Sequence, residues 1–183
     1  MSEFAAKTSH KEERSAQIIQ AALTVFIEKG YRSATTIEIA KAADISEVTL
    51  FRYFSSKQEI FQRGIEPILL ESLKVVDEAD NALLTLSTLS ELLRKRIRFL
   101  SEHKDVIKLI LNERTLAQKD FDYVQRLVTA IQDQLIRLSP LFKEETTIRL
   151  LMGAFLSFLY MPGESDQEIN DFADRLALVL MSA

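Results

Sequence analysis

The chain has 183 residues, 47% hydrophobic and 27% charged, with four Gly, three Pro, two His and no Cys. This composition supports a packed core and argues against disorder. The missing Cys excludes a disulfide scaffold, a thiolate metal site and a thiol nucleophile, and it fits a reducing compartment. The net charge of −4 is unevenly divided: nine Lys/Arg stand against eight Asp/Glu in residues 1–63, and fourteen against nineteen in residues 64–183. The acidity therefore belongs to the later part and does not exclude a polyanionic partner for the earlier one.

Residues 1–10 show no apolar run behind a basic start, so no secretory signal is expected. The most hydrophobic stretch, Ile148 to Met161, has Arg149 inside it and is short of the roughly 20 residues a membrane span needs. The expectation is a cytoplasmic, membrane-free protein.

Scarce Gly and Pro point to long helices with short connections. Lys11 to Lys29 places Ile18, Ile19, Ala22, Leu23, Val25 and Phe26 at helical spacing, and Gly30 stops that helix. Thr35-Thr36-Ile37-Glu38 is a capping box that opens a short helix to about Ala43. Asp44-Ile45 forms a tight turn, and Ser46 caps a second short helix from Glu47 to Tyr53. Ser55 or Ser56 caps a further helix through Ile60, Phe61 and Ile65, which Pro67 bends or interrupts. Longer helices are expected at Ile68–Ala79, Leu89–Glu102, Asp105–Ala117, Phe121–Leu138, Glu144–Tyr160 and Asp166–Met181, with breaks at Pro140 and Pro162-Gly163. No strand pattern and no internal repeat occurs, so the fold class is all-α.

Two short helices joined by a tight turn make a helix-turn-helix, with Ala40 and Ile45 as the contacts between them. The second helix of such a pair fits the major groove while the first lies across the backbone. The stretches Gly30-Tyr31, Thr35 to Ala40, Ala43 to Ser46, Thr49 to Phe54 and Ser56 to Phe61 closely resemble the DNA-binding domain of the TetR family of transcriptional regulators, over about residues 12–62. The resemblance implies a helix-turn-helix domain over 1–62 and a helical effector-binding and dimerisation domain over 63–183. It implies a ligand-released repressor that binds a palindromic operator as a homodimer, with paired recognition helices about 34–36 Å apart.

The resemblance also implies residue roles. Thr36 opens the first short helix at a phosphate-binding position. Ser46, Glu47, Val48, Thr49 and Arg52 lie on or near the groove-facing side of the second. Tyr53 and Lys57 match phosphate contacts. Phe51 stands where the family usually has Tyr and lacks that hydroxyl. Val48 suits a thymine methyl, and Glu47 either accepts from cytosine N4 or favours the helix start. Arg52 contacts base or phosphate, or is a solvated surface residue. Lys11 and Arg14 belong either to a DNA-contacting arm or to a non-contacting tail. Leu50, Phe54 and Phe61 read as core.

Ile148 to Met161 is apolar nearly all round, so a second buried face against a partner is expected. The interface set is Leu151, Gly153, Ala154, Ser157 and Phe158, with Phe172, Leu176, Val179 and Leu180 from the last helix. Candidate linings for an apolar or amphiphilic effector are Phe99, His103, Ile107, Leu111, Arg114, Tyr123, Leu127 and Phe155, positions that ordinary core packing also explains. The link between the domains is placed around Gly64 and Pro67. No cofactor and no metal are expected, and with only His10 and His103 and no Gly-rich phosphate loop an enzyme is disfavoured. The alternatives are a helical protein-interaction adaptor without DNA readout, and an activator of the same family.

Overall fold

The computed structural model describes residues 2–77, 85–112, 129, 132–133, 135–137, 140–161 and 165–182. Among these there is no strand. The elements are α1 (Ser2–Lys29), α2 (Thr36–Ala42), α3 (Glu47–Tyr53), α4 (Lys57–Asp77), α5 (Leu86–Glu102), α6 (Lys104–Asn112), a 3₁₀ turn (Pro140–Lys143), α7 (Glu145–Tyr160) and α8 (Asp166–Ser182). The chain divides into two compact units, Met1–Ile68 and Leu69–Ala183. No described helix is long and apolar enough to cross a membrane.

The first unit is built around Ile18, Ala22 and Phe26 of α1, Ile39 and Ala40 of α2, Leu50 of α3, Phe54, and Ile60, Phe61 and Ile65 of α4, all buried. Phe26, Tyr31 and Phe61 form an aromatic trio with ring centroids 4.9 to 5.5 Å apart, a spacing at which edge and tilted packing is favourable. Gly64 lets α4 approach α1 closely: a Cβ there would lie 3.0 Å from Leu23 Cδ2.

Two expectations need correction here. α4 runs unbroken through Gly64 and Pro67 to Asp77, so Ile68 does not begin a separate helix. A proline inside a helix removes one backbone donor at roughly 3 kcal/mol. The buried stripe of Ile60, Phe61 and Ile65 anchors the preceding turns firmly enough to offset it. In addition, α5 starts at Leu86, capped by Thr85: its hydroxyl accepts from the Thr88 amide at 3.2 Å, and the Thr85 amide donates to Thr88 Oγ1 at 2.7 Å. A Thr in place of Glu or Gln at the third position hid this box from the pattern.

The second unit packs α5 against α7 and α8. Leu89, Leu92, Leu93 and Ile97 meet Phe142, Leu151, Phe158, Ile169, Ala173, Ala177 and Leu180. The buried stripe of α5 runs Leu89, Leu92, Leu93, Arg96, Ile97, Leu100, which is helical spacing with one charge in it. α8 is entered through Ser165, whose amide donates to Glu168 Oε2 at 2.7 Å while its hydroxyl accepts from the Glu168 amide at 3.3 Å. The expected helix ends at Ala79 and Ala117, most of the helix Phe121–Leu138, and the Pro162-Gly163 break lie outside the described residues.

Candidate functional site

The turn from α1 into α2 is held by local chemistry. Gly30 takes φ 79° and its amide reaches the Phe26 carbonyl at 2.8 Å, the left-handed conformation that glycine adopts without a Cβ penalty. Thr35 Oγ1 accepts from the Glu38 amide at 3.2 Å, and Glu38 Oε2 accepts from the Thr35 amide at 3.0 Å. Lys29 Nζ meets the other Glu38 oxygen at 2.5 Å. The Lys29 hydrogen bond first, and the Thr35 donors next, hold the Glu38 carboxyl down at about 2.

The turn between α2 and α3 is a Schellman motif. The Asp44 amide donates to the Lys41 carbonyl at 3.1 Å and the Ile45 amide to the Ala40 carbonyl at 3.0 Å. Asp44 carries the left-handed residue at φ 52°, a conformation Asp tolerates better than most non-glycine residues. Ser46 then caps α3, its hydroxyl accepting from the Thr49 amide at 3.1 Å. The two helices are also tied by side chains, because Thr36 Oγ1 donates to Glu47 Oε1 at 2.5 Å. Ser56 is the cap of α4, accepting from the Glu59 amide at 3.1 Å, while Ser55 donates to the Glu59 carboxylate.

This geometry fixes what α3 presents. Leu50 faces the core, as does Phe54 just beyond the helix, whereas Val48, Phe51 and Arg52 form one exposed arc, with Val48 69% and Phe51 49% accessible. Ser46 is exposed, and Thr36, Glu47, Thr49 and Tyr53 are half-buried at its margins. Ile37 on the first turn of α2 is 65% exposed and shares a shallow open groove with Lys41, Asp44, Ile45, Ser46 and Glu47. Ile37 and Lys41 were absent from the sequence-derived set. An apolar residue just inside a helix start reads as core by its type alone.

Lys57 is engaged differently from the phosphate role the resemblance implies. Its ammonium donates to the carbonyls of Tyr31, Ala34 and Arg32 at 2.8, 2.8 and 3.3 Å, and lies 4.6 Å from the centre of the Tyr31 ring. An ammonium has three donors, so Lys57 closes the α1–α2 loop. Lys41 and Arg52 have no ion-pair partner among the described residues.

In the second unit, Leu151, Phe158 and Leu180 are buried in their own core. This corrects their assignment to a partner-facing surface: each lies on the side of its helix that faces α5 and its neighbours. The exposed arc of α7 carries Leu150, Met152, Gly153, Leu156 and Tyr160, and that of α8 carries Leu178, Val179 and Met181. Ala154, Ser157, Phe172 and Leu176 are half-buried between. Nothing in the described structure lies within 4 Å of where a Gly153 Cβ would sit.

Of the expected effector lining, Phe155 borders a small apolar cavity with Leu89, Leu92, Leu93, Arg96, Leu135, Phe142 and Leu151. Phe99 is buried and stacks at 4.7 Å on His103, whose Nε2 lies 3.6 Å from Glu71. Ile107 is half-buried. Leu111, near the end of α6, is 42% exposed. Arg114, Tyr123 and Leu127 lie outside the described residues.

Residues 18–63 match the family model described as bacterial regulatory proteins, tetR family. The chain is 32% identical over 125 residues to the HTH-type transcriptional regulator YfiR of Bacillus subtilis (strain 168), covering 68% of this chain and 55% of that protein. It is 27% identical over 120 residues to YvkB of the same organism, covering 66% of this chain and 62% of that one. The chain thus spans little more than half the length of these curated relatives. In fold it is similar to the ketosteroid transcriptional regulator KstR2 of Mycobacterium tuberculosis, with a TM-score of 0.73 at 15% identity over 92% of this chain and 93% of that one. A helix-turn-helix built on these residues, the family match across it and the shared all-helical fold carry one conclusion: the chain belongs to the tetR family of bacterial regulatory proteins.

Proposed function

We infer that the protein is a ligand-released transcriptional repressor that reads duplex DNA with α3 as a homodimer. The observation that carries this reading is the single exposed arc of Val48, Phe51 and Arg52 on a helix whose other side is locked into the first unit. Arg52 supplies base or phosphate contact, Val48 and Phe51 meet thymine methyls or sugar, and Ser46, Thr49 and Tyr53 lie at the rim. Thr36 and Glu47 hold α2 and α3 in register through their mutual bond, so a contact donated by the Thr36 hydroxyl to phosphate requires that bond to open, whereas the second Glu47 carboxylate oxygen takes no part in it. Lys41 and Ile37 join the candidate contact set.

The homodimer is supported by the apolar arcs of α7 and α8. Leu150, Met152, Leu156 and Tyr160 on one helix, and Leu178, Val179 and Met181 on the other, lie exposed on two consecutive helices. Exposed large apolar side chains in this number suit an interaction surface. A mid-helix glycine costs about 0.5–1 kcal/mol relative to alanine, and Gly153 meets no neighbour that requires it. A second copy seated on Gly153 gives the residue a reason. Two-fold symmetry in turn calls for a palindromic operator. An effector that prefers the protein in its DNA-free form lowers operator affinity by its differential affinity for the two states.

Binding-site selection with the purified protein tests the reading. It expects a palindromic consensus, affinity that falls steeply with salt, and a dimeric stoichiometry. A protein indifferent to every duplex at low salt ends it. An adaptor that binds protein through the same arc predicts that null result.

A further inference from the structure

Val48 and Ile37 are the two most exposed large apolar side chains among the described residues, at 69% and 65%. Apolar residues scattered singly over a surface are ordinary, but these two are placed together. Ile37 follows Thr36 at the start of α2, and Val48 follows Glu47 at the start of α3. The Thr36 hydroxyl donates to the Glu47 carboxylate, so the two helix starts are tied and each apolar residue is the next one along. Ile37 also lines the shallow open groove that takes in Ser46 and Glu47. Four residues beyond each lies an exposed cation, Lys41 after Ile37 and Arg52 after Val48. Residues four apart are neighbours on a helix surface, so both helices offer the same pair, an apolar side chain followed by a cation.

This arrangement narrows the chemistry of what the two apolar residues can meet. In the groove, Lys41 stands against Asp44 and Glu47, a charge balance that does not favour phosphate beside Ile37. A branched hydrocarbon forms no hydrogen bond with a base edge. The apolar group that base pairs display in the major groove is the C5 methyl of thymine. Cytosine carries a matching group only when it is methylated at the same carbon.

We propose, on the DNA-reading role of α3 inferred above, that Ile37 and Val48 are specificity-determining residues, each reading the C5 methyl of one pyrimidine in every operator half-site. The cations beside them supply attraction to the polyanion and carry no base preference. Selectivity at these two positions therefore comes from apolar contact and not from hydrogen bonding.

The test is fluorescence anisotropy of the full chain with the duplex recovered by binding-site selection. Each thymine is replaced in turn by deoxyuridine, which removes the methyl and leaves the hydrogen-bonding edge unchanged. Two thymines per half-site should respond, each methyl lost costing about fourfold in affinity, the worth of one buried methylene-sized group. The penalty should not change with salt, because no charge is altered. Replacing a responsive thymine by cytosine, with guanine opposite, and then by 5-methylcytosine should recover about fourfold on methylation. Val48→Ala should abolish the deoxyuridine penalty at one position and keep it at the other, and Ile37→Ala should do the reverse. Both side chains are exposed, so both variants should keep the melting temperature. If either fails to fold, Val48→Thr or Ile37→Thr replaces it and must reduce the penalty at its own position. No deoxyuridine penalty at any thymine, no gain from 5-methylcytosine, or both penalties surviving in both variants each overturns the proposal. Tight binding of the selected duplex without a deoxyuridine penalty sinks the methyl readout alone. No binding to any duplex at low salt sinks the regulator reading, and the methyl readout with it.

Discussion

The two units solve their polar problem in opposite ways. In the first, charged groups are drawn into short local circuits: Lys29 to Glu38 to Thr35, Arg63 to Glu59 to Ser55, Lys57 to three loop carbonyls. Each circuit fixes a helix end, and together they leave one arc of α3 facing outward. In the second, helices are fixed by broad apolar stripes, apolar side chains remain outside on α7 and α8, and a cation remains inside on α5. The difference is that the first unit closes its helix ends with local polar circuits, whereas the described part of the second leaves apolar side chains exposed on α7 and α8 and buries a cation on α5.

The comparison can be broken by mutation. The largest expected effect is in the core of the first unit: Phe26→Ala removes one fully buried ring of the aromatic trio and should lose about 3–5 kcal/mol of stability, measured by urea unfolding. Lys57→Met follows. Hydrogen bonds to a charged group contribute about 1.5–3 kcal/mol, so a loss in that range is expected if Lys57 closes the loop. A variant of unchanged stability whose DNA affinity loses salt dependence would return Lys57 to the phosphate role.

Arg52→Ala addresses the exposed arc. It should leave the melting temperature within a degree or so and weaken operator affinity by about 1–3 kcal/mol, read by gel shift or anisotropy at fixed salt. Unchanged affinity would make Arg52 a solvated surface residue. Asp44→Gly is smaller and of opposite sign: relieving a left-handed non-glycine residue should stabilise the first unit by less than about 1 kcal/mol. A loss would mean that the Asp44 side chain contributes more than its backbone strain costs.

The smallest effect is pH-dependent. Glu38 titrates at about 2 when folded against 4.5 ordinarily, so the unfolded chain takes up this proton first. Its contribution is complete above about 4.5, and is lost as pH falls from there toward 2. Glu38→Gln should flatten that part of the acid-unfolding profile, and because the ion pair is solvent-exposed the change is modest.

Much of the first unit was legible because its signals are local. Gly30, the Thr35–Glu38 box, the Asp44-Ile45 turn and the Ser46 cap each act within a few residues, and the helices they bound fall where the pattern places them. The second unit was legible as helices but not as surfaces. Leu150 and Leu151 are chemically alike and adjacent, yet one is exposed and the other buried, because helical residues next to each other point about 100° apart and only the position of α5 decides which faces inward. Arg96 did leave a trace, a charge at a stripe position, but a stripe charge reads as a snorkelling side chain until its burial is seen.

What sequence alone determined, then, is the all-helical class, the turn chemistry of residues 30–56, and the kinship that follows from it. These depend on contacts within one or two turns, which the order of residues specifies directly. Tertiary packing alone decided that Pro67 lies within a continuous α4, that Lys57 closes a loop, that Leu151, Phe158 and Leu180 face inward, and that a cation sits in the body's hydrocarbon core. Those outcomes depend on what comes near each side chain from distant parts of the chain, and no local pattern encodes that.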